Sequence, residues 1–213
     1  MNWLLTILKS SIGKKVLMAL TGFCFLGFIT VHLAGNLTLY AGQGVFNSYA
    51  SHLHSLGPLV TVFEVGLLGL AVVHVLTGLL LFAQNLNARP VRYVMRSNAG
   101  GRTLGSGTMP YTGLLLLAFV AVHLANFHFV DKTGRSIYQI VTEAFARPGY
   151  VAFYVFSMIV LAIHVSHGFW SAFQSLGLNH EKYSPLIRAG AVLFSLLVGF
   201  GFGLIPLFVS VFA

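Results

Sequence analysis

Residues 16–40 read VLMALTGFCFLGFITVHLAGNLTLY, an apolar run with one histidine, His32, set inside it. A bilayer core of about 30 Å is crossed by roughly 20 predominantly apolar residues in a helix, and this run is long enough. It lacks the strict alternation of a barrel strand, whereas a helix satisfies its backbone polar groups internally where water is absent. Four more runs have the same character, at about 59–86, 112–130, 150–176 and 187–212. The expectation is an all-α integral membrane protein of five transmembrane helices, with residues 1–213 forming one transmembrane domain.

Composition points the same way. The chain is 57% hydrophobic and 8% charged, with a mean hydropathy of +0.86, whereas soluble domains carry roughly 25% charged residues. The formal charge of +8 raises the question of nucleic acid. However, the Lys and Arg residues fall in short segments between apolar runs, where membrane topology places them, which argues against that partner. A single cysteine, Cys24, excludes an intrachain disulfide framework and leaves too few thiolates for an iron–sulfur cluster of this chain's own. No repeat of soluble-solenoid type is evident. Lys9, Lys14 and Lys15 precede the first run as in a signal peptide, but the run is too long for an h-region and lacks a small-residue cleavage site. It reads as a retained first helix.

The basic residues set the orientation. Lys9, Lys14 and Lys15, then Arg89, Arg92, Arg96 and Arg102, then Lys182 and Arg188 all fall on one side, which makes nine of the twelve. Lys132, Arg135 and Arg147 fall on the other, accompanied by Asp131 and Glu143. The positive-inside bias places the N-terminus in the cytoplasm and the C-terminus outside. The segment from Asn85 to Pro110, with Gly100, Gly101, Gly105 and Gly107, has no P-loop lysine pattern. It is expected to be a flexible cytoplasmic connection that meets a partner.

Four of the nine histidines lie well inside spans: His32, His74, His123 and His164. An ionisable side chain in hydrocarbon is costly and by default marks function. One such histidine is as readily a neutral ring bonded to a neighbouring helix. One on each of four consecutive spans is better explained by axial ligation of haem, since cofactor sites in bundles are built from facing helices. Depth suggests the pairing. His32 lies roughly 25 Å along the helix axis from Lys15, near the outer face, and His123 is likewise late in a span that starts inside. His74 and His164 lie in spans that start outside and fall just past mid-membrane toward the cytoplasm. The sorting gives an outer pair, His32 with His123, an inner pair, His74 with His164, and two stacked b haems. A proton relay through the same histidines is the competing reading; it usually also needs buried carboxylates, and the first, third and fourth spans have none at their centres. Gly22, Gly27, Gly35, Gly66, Gly69, Gly78 and Gly168 would let helices or a flat ring approach the backbone. His52, His54, His128 and His180 fall in loops or at a span end. His167, three residues after His164 on about the same face, is either an alternative ligand or a haem-propionate partner.

These residues resemble the two-haem cytochrome b membrane subunit of succinate:quinone oxidoreductases, including quinol:fumarate reductases, of the single-subunit, five-helix type. The resemblance runs through Thr21-Gly22 with His32, Phe46-Asn47-Ser48 to Ser51-His52, His74 before Gly78, and His123. Its most specific part is Phe153-Tyr154 followed by His164-Val165-Ser166-His167-Gly168-Phe169-Trp170-Ser171. It implies that His32 and His123 bind the distal haem and His74 and His164 the proximal one. It implies a flavoprotein subunit and an iron–sulfur subunit docked on the cytoplasmic face of a bacterial inner membrane, with electrons exchanged with a membrane quinone, menaquinone being the expected one. The chain itself would carry out no chemistry on succinate or fumarate. Glu64, the only acid within a predicted span, is the expected proton partner of a quinone at the outer face; its alternative is an interfacial side chain that snorkels to water. Some relatives carry a glutamate two residues before the ligand of the fourth span, where this chain has Ala162, which puts that transmembrane proton route in doubt. Two other readings stay open: a two-haem cytochrome b serving another dehydrogenase of hydrogenase or formate dehydrogenase type, and a haem-free transporter.

Overall fold

The computed structural model describes residues 10–88 and 103–212, together with Trp3 and Thr6. Lys9, Arg89, Arg92, Arg96, Gly100, Gly101 and Arg102 lie outside them. The long elements are all helices: α1 (Ser11–Asn36), continued by a 3-10 turn (Leu37–Ala41); α2 (Gln43–Ser55); α3 (Pro58–Asn87); α4 (Leu104–Phe127); α5 (Ile137–Phe145); α6 (Pro148–Ser175); and α7 (Ser184–Phe212). Five of them, α1 with its 3-10 turn, α3, α4, α6 and α7, are long and apolar enough to cross a membrane. The fold class read from hydropathy is the fold observed.

Polar residues at the ends decide where these helices begin. The Ser10 hydroxyl accepts the Gly13 N–H at the start of α1, and α3 and α6 open on Pro58 and Pro148, where a missing N–H costs nothing. Thr103 and Ser106 form a reciprocal capping box that starts α4 at Leu104. Gly105 and Gly107, expected in a flexible connection, are therefore helical. The two outer connections also differ from the sequence expectation, since they fold as the short helices α2 and α5. Scanning for long apolar runs passes over them because each has only one narrow apolar face. Asn47 Oδ1 accepts the Tyr138 N–H at 3.1 Å and joins one short helix to the other. Between α4 and α5, the Asp131 carboxylate accepts the Thr133 N–H, which holds it below its ordinary pKa.

The helix order exposes an internal repeat that is not of solenoid type. Each half consists of a span, a short helix and a proline-initiated span: α1–α2–α3, then α4–α5–α6. At one constant offset, Thr21, Gly22, Leu26, Phe28, Val31, His32, Leu33 and Ala34 match Thr112, Gly113, Leu117, Phe119, Val122, His123, Leu124 and Ala125. At an offset one residue shorter, Pro58, Phe63, Val65, His74, Val75, Gly78 and Gln84 match Pro148, Phe153, Val155, His164, Val165, Gly168 and Gln174. Helix α7 stands outside the repeat.

Packing follows from this arrangement. Helix α1 packs on α3 and α6, and α4 packs on α6 and more lightly on α3. The four form a ring in which α1 and α4 face across one diagonal and α3 and α6 across the other. Helix α7 lies along α6 and also touches α1, at two bare Cα positions. A Cβ at Gly199 would stand 2.9 Å from Ala162 Cβ, and one at Gly201 would stand 2.8 Å from Leu33 Cδ2. An apolar cluster of Leu39, Phe46, Val141, Phe145, Tyr154, Ile205 and Val209 joins the short helices to α6 and α7 at the end of the ring where His32 and His123 lie. The apolar side chains left exposed, such as Val62, Phe63, Leu68, Leu193 and Phe200, are those that a bilayer would cover.

Gly199→Ala should force α7 off α6 and cost about 1–3 kcal/mol, read as a lower thermal midpoint in detergent. Ala162→Gly introduced beside it should recover most of that loss; a double variant no more stable than Gly199→Ala alone would contradict this packing.

Candidate functional site

The four span histidines occupy matching positions of the two halves, and each diagonal of the ring carries one pair. On the α1–α4 diagonal, the His32 and His123 rings stand edge to face with centroids 5.9 Å apart. Phenylalanines one turn earlier, again at matching positions, flank them: Phe28 stacks on His32 at 5.2 Å and Phe119 lies 5.6 Å from His123. Phe202 of α7 closes on His32, and Phe127 and Tyr154 on His123. Asn126 Nδ2 donates to Tyr154 Oη at 3.2 Å. His123 Nδ1 is buried and has no hydrogen-bond partner among the described residues.

The α3–α6 diagonal carries His74 and His164, and each meets a buried threonine. Thr21 Oγ1 is 2.9 Å from His74 Nδ1, and Thr112 Oγ1 is 3.0 Å from His164 Nδ1. The glycine after each threonine faces the same ring: a Cβ at Gly22 would stand 3.9 Å from His74 Cε1, and one at Gly113 3.5 Å from His164 Cε1.

The donor set can be tested against the expected cofactor. Among the described residues, no three of His, Cys, Asp and Glu converge where a bare metal ion could be held. Two imidazoles on opposite sides complete a six-coordinate metal only if the other four donors arrive with it, as they do in a haem. An imidazole nitrogen sits about 2 Å from a first-row metal, so axial rings on one iron have centroids roughly 6 Å apart. The His32–His123 pair, with centroids 5.9 Å apart, meets that spacing. On that spacing the His32–His123 pair fits the group.

The remaining candidates separate by position. His167 is one turn from His164; its Nδ1 is buried without a partner, its Cβ abuts Gly105, and its ring contacts Trp170, over which Arg188 lies. The threonine bond goes to His164 and not to His167. Glu64 is at the outer end of α3, where Oε1 stands 3.7 Å from His128 Nδ1, with the two side chains 48% and 42% exposed. His54 bonds the Ala50 carbonyl and His180 Nδ1 accepts the Lys182 N–H, both local contacts. Of the span glycines, Gly22, Gly35 and Gly78 have a neighbour against the bare Cα, whereas Gly27, Gly66, Gly69 and Gly168 face open space.

Comparison with known proteins finds a short similarity. The chain is 39% identical over 66 residues to the succinate dehydrogenase hydrophobic membrane anchor subunit of Halobacterium salinarum. The match covers 31% of this chain and 50% of that protein, so the chain spans about half the length of the curated relative it matches. No family model matches, and no solved structure matches.

Sequence reasoning missed three residues of this site. Thr112 and the bonding role of Thr21 were visible in principle: aligning the chain with itself pairs the two Thr-Gly dipeptides. His128 gave no such signal, because its neighbour Glu64 is on a different helix.

Proposed function

We propose that this chain is the membrane-anchoring, two-haem cytochrome b subunit of a succinate:quinone oxidoreductase complex. In this reading it passes electrons between a membrane quinone, menaquinone, and an iron–sulfur subunit that sits with a flavoprotein on the cytoplasmic face of a bacterial inner membrane. The observation that carries the reading is the placement of four span histidines as two diagonal pairs at matching positions of a repeated half. The name of the halobacterial relative favours succinate dehydrogenase over other quinone-linked dehydrogenases.

A bound b haem supplies reversible one-electron transfer. His74 and His164 would hold the inner haem, and His32 and His123 the outer one, each through an imidazole lone pair. The apolar walls around the outer pair, Phe28, Phe119, Phe127 and Phe202, exclude water from it. The Trp170–Arg188 pair beside His167 offers a cation and ring donors to a propionate, which gives His167 a supporting role and leaves iron to His164.

Quinone chemistry moves protons as well as electrons, so it needs a group that exchanges protons with water. Glu64 and His128 provide one at the outer end of α3: Glu64 Oε1 takes or returns a proton at the substrate, and His128 Nδ1, 3.7 Å away and half exposed, connects it to the outer phase. Ala162, where some relatives carry a glutamate, has no ionisable group and packs against Gly199, so this reading routes no proton through that position.

Gentle solubilisation and affinity capture of the chain should retain a flavin-bearing and an iron–sulfur subunit with succinate:quinone activity; capture of a hydrogenase or formate dehydrogenase subunit would overturn the assignment. His32→Ala and His123→Ala should each alter the spectrum of the outer haem, and His74→Ala and His164→Ala that of the inner one, with His167→Ala retaining both. Loss of the inner signal in His32→Ala would break the pairing. Glu64→Gln should lower quinone-linked turnover about 10²-fold, in the range of a lost general acid–base group, with haem content unchanged; turnover at the wild-type rate would remove Glu64 from the quinone site.

A further inference from the structure

We infer that Thr21 and Thr112 are positioning residues that set the tautomer, orientation and donor strength of the two inner imidazoles, a device that His123 of the outer pair lacks among the described residues. The inference rests on the two-haem reading above and concerns groups that this reading leaves unused.

The hydrogen-bond arithmetic at each threonine settles the direction. A hydroxyl has one hydrogen to give. Thr21 Oγ1 gives it to the Leu17 carbonyl at 2.8 Å, with Met18 O also near at 3.2 Å. Thr112 Oγ1 gives it to the carbonyls of Thr108 and Met109, each at 3.1 Å. The oxygen that faces each ring nitrogen can then only accept. His74 and His164 must carry the hydrogen on Nδ1, which leaves the Nε2 lone pair of both rings free for iron. The threonine takes its own orientation from the helix backbone, and the ring takes its orientation from the threonine. Both hydroxyls are buried, with 3% and 6% of the residue exposed, so water does not compete for the bond.

The two bonds are not an isolated coincidence. Thr21 and Thr112 match in the internal repeat, as do their acceptors Leu17 and Thr108 at one turn, their glycines and the histidines they address. A chance contact would not recur at the same register in both halves. The outer pair has no such partner at His123, whose Nδ1 is unbonded among the described residues. A hydrogen bond from Nδ1 makes the imidazole a stronger donor through its other nitrogen, which favours the more highly charged state of a ligated metal. The inner site is thereby biased toward the oxidised state relative to the same site without the hydroxyls, and the two sites differ in potential partly for this reason.

The test compares Thr21→Val and Thr112→Val, which keep shape and remove the acceptor, with Thr21→Ser and Thr112→Ser, which keep it. Each is made in the full chain and studied in the purified complex by potentiometric titration of the haem absorbance and by electron paramagnetic resonance. Haem content of the unaltered protein comes first, and fewer than two haems there would sink the two-haem reading itself. With two haems present, either valine variant should raise the midpoint potential of the inner haem and shift its resonance while the outer haem titrates as before, and the serine variants should restore both signals. If a valine variant loses the inner haem, retention of it in the matching serine variant supports the inference. Valine variants that titrate like the unaltered protein, or serine variants that behave like valine, would overturn it.

Discussion

An imidazole placed in hydrocarbon has two nitrogens and no water to satisfy them, and this fold is organised around that constraint four times over. Each buried nitrogen needs a hydrogen-bond partner or a metal, because an unsatisfied polar group there costs several kcal/mol. A ring of four helices meets the need by bringing the histidines together across its diagonals. His32 approaches His123 to 5.9 Å, and His74 and His164 each hand one nitrogen to a threonine. The nitrogens left over point to a ligand that brings its own equatorial donors. Helix α7 adds no histidine; it buttresses α6 and α1 through Gly199 and Gly201 and supplies Phe202 against His32.

The internal repeat makes this arrangement economical. One unit of span, short helix and proline-initiated span provides one histidine late in its first span and one near the middle of its second. Two copies placed side by side then generate both pairs. Departures from the repeat mark where the halves have specialised. Glu64 of α3 matches Tyr154 of α6: the first reaches the outer surface beside His128, while the second is buried in the apolar cluster and bonded to Asn126. Thr77 likewise matches His167. An exposed carboxylate on one half and a buried tyrosine on the other is the asymmetry on which the proposed quinone site draws.

Much of this was legible in the chain. Five apolar runs of spanning length dictate five helices because a bilayer allows the backbone few alternatives, and the placement of His32, His74, His123 and His164 inside them is read from the sequence. The short helices α2 and α5 were not legible as elements, since their stability comes from burying Phe46, Val141 and Phe145 against α6 and α7 and not from their own length. The bond that distinguishes His164 from His167 was not legible on one helix, because Thr112 arrives from another. The Glu64–His128 contact is tertiary for the same reason. The repeat, by contrast, was present in the sequence throughout, and the order of the helices draws attention to it.

The central claim is that two haems are held by these four histidines, and an electron cryo-microscopy map of the purified complex tests it most directly. The account predicts two planar densities stacked along the bundle, one bridging His32 and His123 and the other bridging His74 and His164, with Thr21 and Thr112 against the inner ligands. A single density, or an inner density ligated by His167 in place of His164, would contradict it.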